Sequence, residues 1–244
     1  MVNYTVHPIA VCQGPRDGSL FTYRANFGVT INKACYAWFI TGSSQKILVD
    51  TGTTAAMFRE RGANEQDLIS MRDGLAKFGV APEEIDLVIL THLHFDHIEL
   101  AHIYKKAKFI VQKKELDYAY HPHPIDADLY VRSFFEDINY EIIDGDKKIE
   151  PGLFVFLSPG HSPGGQSIEI KTSSGKVVIP GFCCTMDTFR QTEAMKYRGW
   201  EVTIPLIHQD TRETYDSVLK VKKRADIILS LHGPEYIGVG KVGN

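Results

Sequence analysis

The feature that most restricts the fold of this sequence is a short apolar strand that leads directly into a cluster of histidines. Apart from Asp86, residues 85–90 are apolar and rich in branched side chains, which predicts a strand buried on both faces. The next segment reads Thr91-His-Leu-His-Phe-Asp-His97. His92 and His94 stand two apart and therefore point the same way in an extended chain. The fold must gather these polar side chains at the end of a buried strand.

The cluster has the composition of a metal site. Imidazole nitrogens and a carboxylate are the ligands that zinc and similar divalent transition metals take. Three histidines and an aspartate within six residues are hard to explain as packing, although a lone histidine usually is packing. One loop cannot complete a coordination sphere, so further donors are expected at other strand ends. His161 follows a predicted strand at 153–157, and His232 follows one at 226–230.

The remaining patterns predict a layered α/β domain of two sheets covered by helices. No repeat, low-complexity tract or linker interrupts the sequence, which favours a single domain over residues 1–244. Apolar periodicity from Leu68 to Phe78 predicts an amphipathic helix, and further helices are predicted at 113–120 and 210–224. The other predicted strands are 4–11, 34–41, 46–49, 109–112, 167–171 and 176–179.

Composition excludes several functional classes. The chain has 27 basic and 30 acidic side chains, a net charge of −3, which gives no electrostatic footprint for nucleic acid or a membrane surface. No apolar run approaches the roughly 20 residues that a bilayer requires. The first residues show no secretory signal, so we expect a cytoplasmic protein. The four cysteines, none in a CxxC spacing, are expected to be reduced thiols.

Several motifs together resemble the metallo-β-lactamase superfamily. Residues 91–97 are similar to its HxHxDH signature, and Leu48-Val-Asp-Thr-Gly52 is similar to its LxDTG strand end. Pro159-Gly-His161 resembles its PGH element, and residues 229–234 resemble the segment that carries its last ligand. The likeness covers about residues 30–240 and is strongest to the acyl-homoserine lactone lactonase group. It implies a four-layer αββα sandwich.

The resemblance also implies two divalent metal ions, with zinc expected and iron or manganese as alternatives. A shared water would become a metal-bound hydroxide that attacks an acyl carbonyl. Asp96 would carry a proton to the leaving alkoxide, and Asp50 would orient the histidine loop. The first metal would be held by His92, His94 and His161, and the second by Asp96, His97 and His232.

One expected ligand is missing. The family usually has a bridging aspartate at the end of the strand that follows PGH, but here the sequence runs from Lys176 to Cys184 without a carboxylate. Counting from His161 places Cys183 at this position, whereas alignment on Gly181 places Phe182 there. Either Cys183 ligates the metal as a thiolate, or it is an inert buried thiol and the second metal binds weakly or not at all.

These observations predict a metal-dependent hydrolase that opens a lactone or cleaves a carboxylic ester, with a small-molecule substrate. The tyrosine that the lactonase group carries after the bridging aspartate is absent, and Thr185 and Met186 stand nearby instead. Two alternatives stay open: an iron-dependent oxidoreductase of the persulfide dioxygenase type, and a weakened member that lacks the bridge. The sequence leaves a homodimer open.

Overall fold

Two β-sheets form the centre of the structure, which is a computed structural model that describes residues 3–243. The first sheet has seven strands, which are β1 (Thr5–Asp17), β2 (Thr30–Thr41), β3 (Ile47–Val49), β4 (Gln66–Asp67), β5 (Leu87–Ile89), β6 (Lys108–Gln112) and β7 (Tyr140–Ile143). Their order across the sheet is β4-β1-β2-β3-β5-β6-β7. Strands β3, β5, β6 and β7 are parallel neighbours, so their carboxyl ends meet at one edge.

The second sheet has five strands in the order β12-β11-β10-β9-β8. Its strands are β8 (Lys147–Glu150), β9 (Leu153–Leu157), β10 (Gln166–Thr172), β11 (Gly175–Ile179) and β12 (Ile227–Ile228). The pairs from β8 to β11 are antiparallel, whereas β12 pairs in parallel with β11. This parallel pairing brings the segment after β12 to the same end of the sheet as the segment after β11.

Eight α-helices accompany the sheets within the described residues. They are α1 (Ala55–Arg59), α2 (Met71–Ala76), α3 (Phe95–Ile98), α4 (Lys113–Tyr120), α5 (Arg132–Phe135), α6 (Met186–Phe189), α7 (Glu193–Tyr197) and α8 (Thr211–Arg224). None of the helices in residues 3–243 combines the length and the apolar character needed to cross a bilayer.

The alternation of side chains along β2 explains the layers. Tyr36 and Trp38 face the second sheet and join the core between the sheets, whereas Ala37 and Phe39 face α1 to α5. Helix α8 packs against the second sheet through Val218 and Val221. The order of layers is therefore helices, sheet, sheet, helix, and the predicted αββα sandwich is confirmed.

Gln166, the first residue of β10, ties the two sheets together where the histidine loop begins. Its backbone N–H donates to Thr91 O at 2.9 Å, and its side-chain amide donates to Leu90 O at 2.6 Å. Gln112, at the end of β6, donates to the Gln166 side-chain oxygen at 2.8 Å. These bonds satisfy buried polar groups and fix the distance between the strand ends of the two sheets.

Most predicted elements are present with shifted ends. Helix α4 and strand β9 have the predicted bounds, whereas β1 continues six residues beyond its predicted end at 11. The added residues include Gly14 and Pro15, and β2 pairs with β1 through both positions. The amphipathic helix begins at Met71 rather than Leu68, because the Ser70 hydroxyl caps it by accepting from Asp73 N.

Candidate metal centre

The histidine loop leaves the first sheet after β5 and turns into the short helix α3. Asp50, at the end of the adjacent strand β3, holds this loop from behind. Its carboxylate accepts hydrogen bonds from Thr91 N at 2.8 Å, from the Thr91 hydroxyl at 2.9 Å and from His97 Nδ1 at 2.8 Å. Asp50 has a left-handed backbone with φ 56°, which turns the chain sharply at the strand end. The carboxylate therefore occupies the orienting position that the sequence predicted.

His92, His94 and His161 bring one nitrogen each into a common space. Their ligand atoms all lie within 4.8 Å of one another, and the three side chains are buried. His161 reaches this space from the loop after β9, and its Nδ1 donates to Ile207 O at 2.6 Å. The structure thus brings together the three residues that the sequence assigned to the first metal.

The hydrogen bonds fix which nitrogens carry protons. A carbonyl only accepts, so His161 has its proton on Nδ1 and a lone pair on Nε2. The Thr91 hydroxyl gives its proton to Asp50, so it accepts from His92 Nδ1 at 3.0 Å, which leaves a lone pair on His92 Nε2.

These two lone pairs face each other, with His92 Nε2 and His161 Nε2 3.3 Å apart. Two unprotonated nitrogens cannot hydrogen bond to each other, whereas a shared cation would attract both of them. Two nitrogens bound tetrahedrally to one zinc at 2.0–2.1 Å stand about 3.3 Å apart. This site therefore fits a divalent metal ion.

Asp96, His97 and His232 form a second group beside the first. His97 Nε2 lies 3.7 Å from Asp96 Oδ1, and His232 Nε2 lies 3.8 Å from Asp96 Oδ2. His232 Nδ1 donates to Ala34 O at 3.0 Å, so its Nε2 is turned toward Asp96. Within residues 3–243, His97 Nε2 is a buried polar atom without a hydrogen-bond partner.

Strand β2 adds two side chains to this second group that the sequence analysis did not identify. Lys33 donates to Asp96 Oδ2 at 3.1 Å. The thiol of Cys35 lies with Asp96 and His232 in a set of ligand atoms that are all within 4.8 Å of one another. The available signal was a lysine at the start of an apolar strand, with a cysteine two residues later and therefore on the same face.

Cys183 lies in the wall of the same cavity and is buried. Burial raises the pKa of its thiol to about 12. Among the described residues, neither of the two compact sets of ligand atoms includes Cys183. Its role as a metal ligand stays a prediction from sequence, and the thiol placed closest to Asp96 and His232 is that of Cys35.

Burial and neighbouring charges set the protonation of the site. Burial, together with the other histidines, holds the pKa of His92 and His94 well below its usual value. Burial likewise lowers the pKa of His161 to about 4. Burial opposes ionisation of Asp96, but the Lys33 ammonium and the neighbouring histidines together outweigh it and keep the pKa of that carboxyl well below its ordinary range. The first three histidines are therefore neutral and Asp96 is charged at neutral pH.

Glu115 on α4 is a third residue that sequence reasoning missed. Its buried carboxylate accepts from Leu93 N at 3.0 Å and from Gly164 N at 2.9 Å. Leu93 lies between the first two histidines, and Gly164 lies three residues after His161. One side chain therefore joins the two loops that carry the first set of ligands.

A cavity of about 540 Å³ opens above the two groups. The cavity wall combines apolar and aromatic side chains with the polar groups below, as in many small-molecule sites. Its apolar members are Leu20, Phe21, Phe58, Ala63, Phe95, Leu129 and Ile207. Glu99, two residues after His97, accepts hydrogen bonds from Thr53 and Thr54. It is not among the residues described around the cavity.

The fold and sequence match known proteins over most of the chain. The sequence model of the metallo-β-lactamase superfamily matches residues 31–229. N-acyl homoserine lactonase AiiA of Bacillus thuringiensis subsp. kurstaki is 28% identical over 238 residues, which cover 86% of this chain and 89% of that protein.

Two solved structures show the similarity of fold. An N-acyl homoserine lactone hydrolase with the product N-hexanoyl-L-homoserine at its catalytic metal centre has a TM-score of 0.75 and 24% identity, and the match covers 98% of this chain and 96% of that one. AidC, a dizinc quorum-quenching lactonase, has a TM-score of 0.69 and 17% identity, with 100% and 91% covered. On these findings the chain belongs to the metallo-β-lactamase superfamily and is a hydrolase-type enzyme.

Proposed function

We propose that this protein is a metal-dependent hydrolase that opens a lactone or cleaves a carboxylic ester. The observation that carries the proposal is the 3.3 Å approach of two unprotonated nitrogens, on His92 and His161, at the base of a cavity. His94 completes the donor set, and all three rings are buried. These residues would hold the metal ion, and His97 and His232 lie beside them next to Asp96.

A divalent ion bound by the three histidines supplies two things, an acidified water and a polarised acyl carbonyl. The chain's own residues supply the rest. The apolar wall of the cavity binds the acyl part of the substrate and excludes water. Asp96 is charged and lies in the cavity wall, so in this proposal it accepts a proton from the water and passes it to the leaving alkoxide.

The substrate class follows from the site and its relatives. The wall is largely apolar, which suits an acyl chain next to a lactone ring. The named relatives are N-acyl homoserine lactonases, and N-acyl homoserine lactones are therefore the first substrates to test. No tyrosine is found among the described residues that line the cavity. In this proposal, side chains other than the tyrosine of the lactonase group therefore contact the substrate carbonyl.

The test compares the wild type with His94→Ala on a panel of lactones, carboxylic esters and thioesters, each protein loaded with zinc or manganese. We expect hydrolysis of a lactone or ester by the wild type and loss of bound metal and activity in His94→Ala. His102→Ala is the matched control, because His102 is an exposed ring that contacts Ser133 O away from the cavity. Equal behaviour of wild type and His94→Ala on every compound would refute the proposal.

A further inference from the structure

Lys33 places a cation directly on Asp96 inside the metal cavity. Its Nζ lies 3.1 Å from Asp96 Oδ2, and the two side chains are only 8% and 12% exposed. The same Nζ lies 4.0 Å from the centre of the Phe58 ring. The ammonium is therefore held between a carboxylate and an aromatic face, with little water around it.

Asp96 supplies the carboxylate counter-charge of Lys33, and the Cys35 thiol beside Asp96 also favours the ammonium. Asp50 is already occupied by Thr91 and His97, and Glu65 forms an ion pair with Arg16. A buried ammonium without an acidic partner is strongly unfavourable. A second metal bound to Asp96 would remove this partner and would bring a divalent charge next to the ammonium.

The charges around the cavity also oppose a second divalent ion. The described residues in its wall include three cationic side chains, Arg16, Lys33 and Arg61, and two acidic ones, Asp96 and Asp128. Arg16 is paired with Glu65, so the wall together with that partner carries three cations and three carboxylates and has no excess of negative charge to attract a second divalent ion. The position at which the sequence predicted a bridging ligand holds the thiol of Cys183 and adds no carboxylate. The second group of residues therefore does not fit a second divalent cation while Lys33 is on Asp96.

We propose that Lys33 replaces the second metal, so that the chain holds one divalent ion at His92, His94 and His161, and the Lys33 ammonium acts as the second positive charge. This inference rests on the proposed function and deepens it. It fixes the number of ions and makes Lys33 a catalytic residue, because its ammonium faces the space that the substrate must occupy.

The chemistry assigned to Lys33 is stabilisation of negative charge. In ester or lactone hydrolysis the water oxygen forms a bond to the acyl carbon, and the bond from that carbon to the alkoxide oxygen breaks. One proton of the water passes by way of Asp96 to the leaving alkoxide, and Lys33 keeps its three protons throughout. One N–H is directed at Asp96, so another can donate to the oxygen on which charge develops.

The experiment measures metal per chain and hydrolysis in wild type, Lys33→Met and Lys46→Met. Each protein is equilibrated with zinc, freed of loosely bound ion by gel filtration and analysed for bound zinc. Lys46 is the matched control, since it is a lysine in an ion pair with Glu84 on the surface. We expect one zinc per chain in wild type and Lys46→Met. With one zinc bound, Lys33→Met should lose about 10²–10³-fold in kcat, and Lys46→Met should keep its activity.

Two results would overturn the proposal: two tightly bound zinc ions in the wild type, or full activity of Lys33→Met at one zinc per chain. If the wild type binds two ions and Cys35→Ala binds one, the second group is a thiolate metal site instead. If Lys33→Met does not fold, Lys33→Gln, which keeps a polar donor, takes its place in the experiment.

The outcomes distinguish this inference from the proposed function. A wild type that hydrolyses with two ions refutes only the role of Lys33. A wild type inactive on the whole panel refutes the hydrolase proposal, and its metal count still decides how many ions it holds.

Discussion

Four of the histidines around the cavity are each held from behind by a different acceptor. Because each acceptor takes the Nδ1 proton, it sets the orientation of the ring and directs the other nitrogen into the site. The acceptors are the Thr91 hydroxyl for His92, the Asp50 carboxylate for His97, Ile207 O for His161 and Ala34 O for His232.

Asp50→Asn tests whether the acceptor of the Nδ1 proton sets the orientation of a ligand ring. The substitution keeps the size of the side chain but removes the charge and one of the acceptor oxygens that now serve Thr91 and His97. We expect zinc affinity to fall about 10–100-fold, measured by competition with a chromophoric chelator. Asp117→Asn is the control, since that carboxylate is exposed and pairs with Lys113 on its own helix. Unchanged zinc affinity in Asp50→Asn would contradict the assigned role.

Glu115→Gln tests the link between the two ligand loops. An amide can accept from only one of the two backbone N–H groups, on Leu93 and Gly164, that the carboxylate now serves. Leaving a buried donor unpaired should lower the free energy of unfolding by about 1–3 kcal/mol in urea denaturation. Glu136→Gln, at a half-buried glutamate in a surface ion pair with Arg132, should leave stability nearly unchanged. Equal stability of the two variants would argue against the link.

At the level of elements, the loop after β9 depends on close contact with the start of α8. Gly160 has φ 110°, and a Cβ there would lie 2.4 Å from Thr214 N on that helix. Gly160 O accepts from Gln209 N at 2.7 Å and from Asp210 N at 3.1 Å, and Asp210 caps the helix. The position of His161 is therefore set by how closely its loop approaches the helix.

Comparison of Gly160→Ala with Gly79→Ala should separate the effect of steric contact with α8 from that of backbone strain. Gly79 also has a positive φ, 68°, but a Cβ there would meet no atom within 4 Å. We expect Gly79→Ala to cost about 1 kcal/mol of stability from its backbone alone. Gly160→Ala should cost about 3 kcal/mol and should also weaken zinc binding. Similar losses in urea denaturation for both variants would show that contact with α8 is unimportant.

How many of the site residues could be predicted from the sequence differs from one element to another. Residues 91–97 and His161 carry strong local signals, because ligand residues follow short apolar strands directly. The contribution of β2 was missed, because Lys33 reaches Asp96 through pairing across the sheet, which leaves no local pattern. Glu115 was placed on the correct helix, but its two partners come from loops that only the tertiary structure brings together.

For the molecule as a whole, a bound metal should stabilise the fold, since the histidine ligands come from segments that are distant in sequence. A ligand present at 100 times its Kd adds about 2.7 kcal/mol to stability, which for a chain of this size corresponds to about 5–10 °C in Tm. We expect a chelator to lower the Tm of the wild type by this amount, measured by calorimetry. His94→Ala should melt at the same temperature with and without chelator. A chelator that leaves the wild-type Tm unchanged would contradict a structural contribution of the metal.

The bond between His232 and Ala34 has a consequence for how the protein is made. It joins residues 198 positions apart, and Ala34 N also donates to His232 O at 3.0 Å. Closing so long a loop is entropically costly and follows the formation of local contacts. During translation, the segments with His92, His94 and His161 leave the ribosome long before His232 does. The nascent chain therefore possesses its first three ligands early and completes the cavity only after His232 has been added.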